Sequence, residues 1–446
     1  MPRISILLLA TALAAQAQTF TTLANFNGTN GAAPQEMTLV QGPDGAFYGT
    51  TYLAGATPTS DNGNVFKITR TGKLTNLHYF DSTDGALPWA GLVLATNGYF
   101  YGTTQFGGAL NDGTIFKMTP AGALTSLFSF NSTDGATPSV ALVQATSGNL
   151  FGTTLAGGAA ACGTIFKITP RGTVKTLHTF NSTDGCIPGP LIQATDGNFY
   201  GTTFKGGASN DGTIFKITAA GLFTTLYSFT GPDGQYPPYG VLQAADGNFY
   251  GDTSAGGTCC GTFFKITPAG ELTILSSNTP AATPGALIQA TDGNFYVPSV
   301  TGGAYGEGAI IKLSSKLTIL HSFNQTDGAF PDGALLQATD GSFYGTTNQG
   351  GTGRGLMGTV FRLSTGLGPF VKTIPTAGPP GTVVKILCTD LTEPVTVTFN
   401  GAPAVVTSFA PNLITTTVPS GATTGTVQVT TPAGRLSSNT PFFVTQ

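Results

Sequence analysis

Apolar and polar positions recur along most of the chain at a fixed spacing. A short apolar run at residues 191–194 precedes Asn-Phe-Tyr-Gly-Thr-Thr at 198–203 and Gly-Thr-Ile-Phe-Lys-Ile-Thr at 212–218. Each run has the length and β-branched or aromatic content of a strand, and Gly, Asp and Asn separate the runs. The unit occurs seven times at intervals of 47 to 50 residues, a period typical of propeller blades or of an open array.

Each repeat divides into four short strands, called A to D here. An Asp-Gly pair such as Asp196-Gly197 links A to B, and this pair between apolar runs predicts a hairpin with a type I′ turn. A Gly turn links C to D, a Gly-Gly loop links B to C, and Asn-Ser-Thr-Asp-Gly leads from D to the next A. The pattern predicts an antiparallel sheet for every repeat.

The two ends of the repeat region decide between a ring and an open array. The region begins with a single D-type strand at residues 19–26 and ends on a single C-type strand at 359–363. Pairing of these two strands would leave no exposed sheet edge. We therefore predict an all-β protein in which residues 18–366 form a seven-bladed β-propeller closed by the N-terminal strand.

These repeated motifs resemble the GloVer-type tandem repeat (Gloeo_Verruco) of secreted bacterial proteins. The resemblance covers about three quarters of the chain and implies a secreted or cell-surface setting without an established reaction. Copy six departs most, because Tyr-Val-Pro-Ser at 296–299 replaces Tyr-Gly-Thr-Thr. Proline cannot donate to a ladder, so we expect a shortened strand B in that copy.

The period stops near Gly368. Alternating strands separated by Pro and Gly turns follow to residue 446. This segment, 368–446, is similar to the IPT/TIG domain, an immunoglobulin-like β-sandwich, which implies a role in adhesion or spacing. The short linker at 364–368 predicts a closely coupled pair of domains.

The first 17 residues have the pattern of a secretory signal peptide. Arg3 precedes an apolar segment, and Ala-Gln-Ala ends at Ala17, which predicts cleavage there and an extracellular or periplasmic protein. Only 9% of residues are charged and the net charge is -3, so neither nucleic acid nor a membrane span is expected. The sequence leaves the anchoring mode and the oligomeric state open.

Strand C carries one basic residue in every copy. We interpret this slot as structural, with each cation pairing to the Asp of a nearby D–A loop such as Asp84 or Asp184; a ring of positive charge for an anionic ligand is the alternative. The slot comprises Lys67, Lys117, Lys167, Lys216, Lys265, Lys312 and Arg362. His78, His178 and His321 share a position near the end of strand D, where a structural role is also expected.

Five cysteines in an exported protein invite disulfides. Cys162 and Cys186 fall on loops of one face and are a candidate pair. Cys259 and Cys260 would form a vicinal pair or stay reduced, and Cys388 is expected to be a buried thiol. No Cys or His cluster has ligand spacing, the Asp-Gly pairs suit turns better than calcium, and we expect neither a metal nor a cofactor.

The variable B–C and D–A loops mark the better face for a ligand, since scattered aromatic and charged side chains there suit a sugar or a peptide. Packing between neighbouring blades is the alternative interpretation of the same residues. The candidates are Trp89, Phe106, Phe204, Lys205, Tyr236, Tyr239, Tyr305, Glu307 and Arg354.

Two functions remain open at this stage. The leading interpretation is a noncatalytic binding or adhesion protein that presents a loop face to a glycan or a surface protein, with no catalytic residue. The alternative is an extracellular lyase or glycoside hydrolase acting on polysaccharide. Acidic residues off the repeat template are few, with Glu36 and Glu307 the main ones, and this favours binding.

Overall fold

A computed structural model describes residues 18–54, 61–277, 285–314, 316–353 and 355–445. The predicted leader, residues 1–17, lies outside this part of the chain. The described residues form strands, turns and loops and no helix. The structure also contains no helix long and apolar enough to cross a membrane among these residues.

The repeat region of the described chain forms seven antiparallel sheets, numbered 1 to 7 in chain order. Sheets 1 to 3 comprise β2 (Val40–Gln41), β3 (Phe47–Thr51), β4 (Asn64–Ile68) and β5 (Leu74–Tyr79); β6 (Val93–Leu94), β7 (Phe100–Thr104), β8 (Thr114–Met118) and β9 (Leu124–Ser129); and β10 (Val143–Gln144), β11 (Leu150–Thr154), β12 (Thr164–Ile168) and β13 (Val174–Thr179). In each sheet the four strands lie side by side in the order A, B, C, D.

Sheets 4 to 7 follow the same order. They comprise β14 (Cys186–Pro188), β15 (Ile192–Gln193), β16 (Phe199–Lys205), β17 (Thr213–Ile217) and β18 (Phe223–Ser228); β19 (Leu242–Gln243), β20 (Phe249–Asp252), β21 (Phe263–Ile266) and β22 (Leu272–Ser276); β23 (Ile288–Gln289), β24 (Phe295–Ser299), β25 (Ala309–Leu313) and β26 (Leu317–Ser322); and β27 (Leu336–Gln337), β28 (Phe343–Thr347) and β29 (Thr359–Ser364), with β1 (Thr19–Asn25) at the outer edge. The extra strand β14 also pairs with β16; the sequence did not predict it.

Sheet 7 joins the two ends of the repeat region. Strand β1 pairs antiparallel with β29, from Thr19 opposite Ser364 to Asn25 opposite Thr359, with one irregularity between Thr22 and Ala24. Strand β1 thus occupies the D position that the last repeat does not supply.

The same aromatic contact recurs between neighbouring sheets. The Tyr of one strand B lies against the Phe of the next, with ring centroids 4.1 Å apart for Tyr200 and Phe249 and 4.4 Å for Tyr296 and Phe343. Tyr344 of sheet 7 contacts Phe47 of sheet 1 at 4.1 Å. The last and first sheets therefore meet in the way that consecutive sheets do.

A second repeated contact links the A strands. The backbone N–H of Thr195 donates to the side-chain oxygen of Gln243 in the next sheet at 2.9 Å. Thr339 of sheet 7 donates in the same way to Gln41 of sheet 1 at 3.1 Å. Because these bonds join one sheet to the next at the same position each time, they fix the spacing at the inner edges of the sheets.

Two local predictions were wrong. The A–B link turns through three residues, with the N–H of Gly197 bonded to the carbonyl of Ala194. Only Gly197, at φ 80°, enters the left-handed region, so a type I turn followed by a left-handed Gly replaces the expected type I′ turn.

Strand B of copy six keeps five residues, and Pro298 pairs with Ile310. Strand A begins at Ile288, opposite Tyr296, and does not run alongside Pro298. On that side Gly285 donates to the carbonyl of Pro298 at 2.7 Å, so no ladder bond requires the N–H that proline lacks and the residue is tolerated.

The basic slot pairs with a different set of carboxylates from the one predicted. Lys67, Lys216 and Lys312 contact Asp44, Asp196 and Asp292 of the A–B turns, at 2.5, 3.1 and 2.8 Å. The cause is register, because each Lys lies opposite the strand-B Tyr, as Lys216 does opposite Tyr200, whose hydroxyl donates to the same turn Asp at 2.9 Å. The D–A loops lie at the other end of the strands.

The Asp residues of the D–A loops bind strand D instead. His78, His178 and His321 lie 2.7, 3.1 and 3.0 Å from Asp84, Asp184 and Asp327, and in sheet 4 Tyr227 donates to Asp233 in the same way. Burial lowers the pKa of His178 and of His321. These three imidazoles hold loops and are distributed over three sheets.

The cysteines are bonded in two pairs. Cys162 is joined to Cys186 across a separation of 24 residues, and Cys259 is joined to Cys260. Cys388 is a buried free thiol whose pKa burial raises to about 12.

The C-terminal segment forms two four-stranded sheets around one core. They comprise β30 (Lys372–Ile374), β32 (Val383–Leu387), β36 (Leu413–Thr417) and β35 (Val406–Ala410); and β34 (Ala402–Ala404), β33 (Thr396–Phe399), β37 (Val427–Thr431) and β38 (Gly434–Ser437), with the short pair β31 (Ala377–Gly378) and β39 (Phe443–Val444) beside them. Val384, Val397, Ile414 and Val429 are fully buried between the sheets. The alternating apolar positions of the sequence account for this sandwich.

The sandwich packs against the A–B and C–D turns of the first, second and last sheets. Arg70 lies 2.7 Å from Asp390, and the Lys385 ammonium donates to the carbonyl of Thr96 at 2.9 Å. Leu387 is buried with residues of sheets 1 and 2. With these contacts the sandwich does not cover the opposite ends of the strands, where the B–C and D–A loops lie.

Candidate functional site

The B–C and D–A loops of a repeat lie together. Ala86 of a D–A loop bridges Phe106 of the following B–C loop, and Gln235 bridges Ala255 in the same way. This arrangement follows from antiparallel order, since strands B and D both end at the same side of a sheet. We call this side the loop face.

Each D–A loop crosses the loop face from the outer strand D to the inner strand A. Glu36, Trp89, Tyr239 and Asp332 stand near the inner ends of four of these loops, and Asp252 ends strand β20 beside them. We call these five residues the acidic mouth.

Glu36 has an unusual backbone and environment. Its φ of 42° lies in the left-handed region, which costs a non-Gly residue free energy and is often found at functional sites. The side chain keeps an exposed surface although protein surrounds most of it, as expected for a group that lines a hollow. This enclosure raises the pKa of the carboxyl, and a hydrogen bond from the Trp89 indole partly offsets the rise.

Asp332 is 9% exposed and lies beside Glu36. Asn348 donates to its Oδ2 at 3.1 Å, whereas Oδ1 has no partner among the described residues. Burial, followed by the charge of Glu36, raises the pKa of Asp332 to about 7.

Tyr239 faces the same group of carboxyls from sheet 5. Burial, and then the charges of Glu36, Asp332 and Asp252, raise the pKa of its phenol. The phenol stays protonated and is a hydrogen-bond donor at any physiological pH.

Asp252 breaks a repeated contact. At its position in other copies a Thr hydroxyl donates to a carbonyl of the next D–A loop, at 2.9 Å from Thr50 to Ala90 and 3.0 Å from Thr153 to Gly189. Asp252 is 2% exposed, and its Oδ2 has no partner among the described residues. Burial therefore raises the pKa of Asp252 well above its usual range.

A cavity of about 150 Å³ lies beside these residues. Tyr239 and Asp252 line it together with apolar side chains of the A strands of sheets 4 to 6. Asp252 thus borders open space instead of contacting a neighbouring loop.

The acidic mouth offers acceptors, two aromatic rings and one proton donor with a pKa near neutrality. Carboxyls of this kind accept bonds from sugar hydroxyls or amines and can exchange protons with a bound ligand. In the described chain no three His, Cys, Asp or Glu side chains are placed to hold one metal ion.

The structure brings together only part of the predicted ligand set. Trp89 and Tyr239 belong to the acidic mouth. Phe204 and Tyr236 stack on each other at 5.2 Å, which is the packing between loops that the sequence analysis gave as the alternative. Tyr305 is 65% exposed.

The remaining candidates have other positions. Phe106 bridges Ala86 within its own repeat, Lys205 ends β16, and the backbone carbonyl of Glu307 accepts the N–H of Phe330. Arg354 lies outside the described residues.

Sequence reasoning missed Asp252 and Asp332, and the statement that Glu36 and Glu307 are the main acidic residues off the template was incomplete. The signal was present in both cases. Phe-Tyr-Gly-Asp-Thr replaces Phe-Tyr-Gly-Thr-Thr at Asp252, and Asp332 directly follows a loop proline, as Trp89 does. Comparison of the copies position by position would have found them.

Comparison with known families identifies the repeat. A Gloeobacter/Verrucomicrobia repeat matches residues 11–194, 141–282 and 260–385, which together cover most of the chain. The chain belongs to the Gloeobacter/Verrucomicrobia repeat family. Residues 369–444 match the IPT/TIG domain. No curated protein matches this member of the family.

Several solved structures resemble this family member in fold. A streptogramin B lyase is 15% identical, with 78% of this chain and 97% of the lyase covered, at a TM-score of 0.55. Virginiamycin B lyase from Staphylococcus aureus is also 15% identical, covering 78% and 99%, at 0.54. A fungal alcohol oxidase of the AA5 family in complex with copper is 12% identical, covering 96% and 99%, at 0.53. At these identities the likeness shows a propeller-like fold alone and carries no information about activity.

We expect Asp252→Thr to raise the free energy of unfolding by about 1 to 3 kcal/mol, because it removes a buried acceptor without a partner. The matched change Thr202→Asp, which replaces a hydroxyl bonded to Pro237 at 3.3 Å, should lower the free energy of unfolding by a similar amount. Chemical denaturation of both variants measures these changes. Loss of stability in Asp252→Thr would show that the native carboxyl is already satisfied.

Proposed function

We propose that this protein is a secreted glycan-binding protein that holds its ligand at the acidic mouth. The observation that carries the proposal is the interaction of the Glu36 carboxyl with both aromatic residues, through a hydrogen bond from Trp89 and through its charge, which helps to raise the pKa of Tyr239. Aromatic faces pack against sugar rings, and carboxylates accept hydrogen bonds from their hydroxyls.

The proposed scaffold is a closed seven-bladed propeller. The pairing of β1 with β29 supports closure, as does the Tyr344–Phe47 contact, which matches those between consecutive sheets. In a closed ring the inner ends of all the D–A loops surround one central hollow, and residues from sheets 1, 2, 5 and 7 meet there.

The leader pattern, a disulfide and the C-terminal domain all agree with a secreted protein. The leader pattern at 1–17 and the bonded pair Cys162–Cys186 suit an oxidising compartment. The IPT/TIG domain would serve as a spacer or an adhesion module, since it packs against the A–B turns through Lys385 and leaves the loop face accessible.

A second function is favoured by the Glu36–Asp332 pair. Two neighbouring carboxyls, one with a pKa near 7, are what a general acid and a general base require in an enzyme that cleaves polysaccharide. An extracellular lyase or glycoside hydrolase is therefore the alternative.

For glycan binding, we expect residues 18–446 to bind a defined set of glycans on an array, and Trp89→Ala to weaken binding about tenfold through loss of stacking. Tyr305→Ala is the matched control, because this exposed ring lies on the same face outside the mouth. Weakening by Tyr305→Ala but not by Trp89→Ala would move the site to the rim, and a complete absence of glycan binding would refute the proposal.

For the enzymatic alternative, turnover of any bound polysaccharide should fall as pH rises through about 7, because Asp332 then loses its proton. Asp332→Asn and Glu36→Gln should each lower kcat at least a hundredfold. Glu271→Gln, on the turn between β21 and β22 at the opposite side, is the control. Reducing-end and double-bond assays measure turnover, and binding without any turnover would exclude this alternative.

A further inference from the structure

The hydrogen bonds that join the A strands of neighbouring sheets have one exception. At six junctions a backbone N–H of one A–B turn donates to a Gln side chain of the next strand A, as Thr339 does to Gln41. Between sheets 1 and 2 the donor position holds Pro43, which has no N–H, and Leu94 stands in place of the Gln. The inner edge is therefore apolar where these two sheets meet.

The sandwich covers this junction without filling it. A cavity of about 360 Å³ lies between the A strands of sheets 7, 1 and 2 and strand β30 of the sandwich. Branched aliphatic side chains form much of its wall, among them Val40, Leu92, Leu94, Leu336, Ile374 and Leu387. The volume and the apolar wall are those of a site for a small molecule.

The orientation of β30 places one lysine at this cavity. Lys372 and Ile374 share a face of β30, opposite Leu387 and Lys385 of β32. Leu387 of this face is buried with residues of sheets 1 and 2. Lys385 donates to the carbonyl of Thr96 in sheet 2, whereas Lys372 lines the cavity.

Lys372 is a buried cation without a counter-ion. Its side chain keeps a partly exposed surface although protein surrounds it, as expected for a group that borders a hollow. The ammonium donates to the carbonyl of Gln337 at 3.3 Å and forms no ion pair within the described chain. Burial lowers the pKa of Lys372 to about 8, so the ammonium still keeps its proton at neutral pH.

These surroundings determine the kind of ligand. An ammonium has three donors, and the one bond to Gln337 leaves two of them for a further acceptor. A buried charge without a partner is costly, and a carboxylate would supply both the acceptor and the opposite charge. The aliphatic wall offers no partner for a second charge, so the rest of the ligand should be an alkyl chain.

We propose that this cavity binds a small aliphatic monocarboxylate, with the carboxylate on the Lys372 ammonium and the alkyl chain against Leu92, Leu94 and Leu336. The site is separate from the acidic mouth, which lies at the opposite ends of the strands. Because both the repeat region and the sandwich form its walls, a bound acid would stabilise the contact between them.

Calorimetric titration with octanoate, 1-octanol and acetate tests the proposal. Octanoate should bind at least tenfold more tightly than octanol, which has the same chain length without the charge, and acetate should not bind, because it has almost no apolar surface to bury. Equal affinity for octanoate and octanol would overturn the role of Lys372. Absence of octanoate binding would show that the cavity is only a gap in the packing.

Lys372→Met should weaken octanoate binding at least tenfold. The melting temperature of the ligand-free variant should be equal to that of the parent protein or higher, because an apolar side chain replaces a buried, unpaired cation. Lys175→Met removes an exposed lysine of β13 and should leave the affinity unchanged. Unchanged affinity in Lys372→Met would place the acid elsewhere and refute the assignment.

The pH dependence of the parent protein tests the same contact without a variant. Lys372 is the one titratable residue among the described residues that line the cavity. The affinity for octanoate should fall as pH rises through about 8, because the free ammonium then loses its proton. A constant affinity across this range would contradict the proposal even if Lys372→Met failed to fold.

Discussion

The pairing of β1 with β29 is the interaction on which the rest of the architecture depends. Each repeat supplies four strands, but the chain enters the series at strand D and leaves it at strand C. The last sheet is complete only when residues 19–25 return to residues 359–364. That pairing acts together with the contacts of Tyr344 with Phe47 and of Thr339 with Gln41 to bring sheets 7 and 1 together, and Asp332 then lies beside Glu36.

Function is expected where the repeat is broken. In four copies a Thr hydroxyl ties strand B to the next D–A loop. Asp252 abandons this bond, and Thr346 at the corresponding position of sheet 7 has a buried hydroxyl without a partner among the described residues. The D–A loop that follows sheet 7 contains Glu36 with its left-handed backbone. Three of the seven buried polar atoms without a partner among the described residues belong to Asp252, Asp332 and Thr346, which is consistent with a site kept at some cost in stability.

Much of the fold follows from the sequence because its determinants are local. Strands A, B and C of the fourth copy begin and end within two residues of the predicted bounds, since strand and turn signals lie within one repeat. What sequence reasoning missed depends on contacts between elements. The partner of Lys216 is set by its register against Tyr200, and the tolerance of Pro298 is set by where strand A begins. The neighbouring carboxyls of Asp332 and Glu36 likewise belong to residues almost 300 positions apart in the chain, and no pattern within a single repeat indicates that they meet.

Strand complementation tests the central claim most directly. Residues 27–446 lack β1, and a synthetic peptide of residues 18–26 can be added back while thermal unfolding is recorded. The account predicts a marked loss of stability on truncation, restored by the peptide in a saturable manner but not by a peptide with Phe20→Asp, because Phe20 packs against Phe361. An unchanged melting temperature on truncation, with no effect of the peptide, would contradict ring closure through β1 and β29.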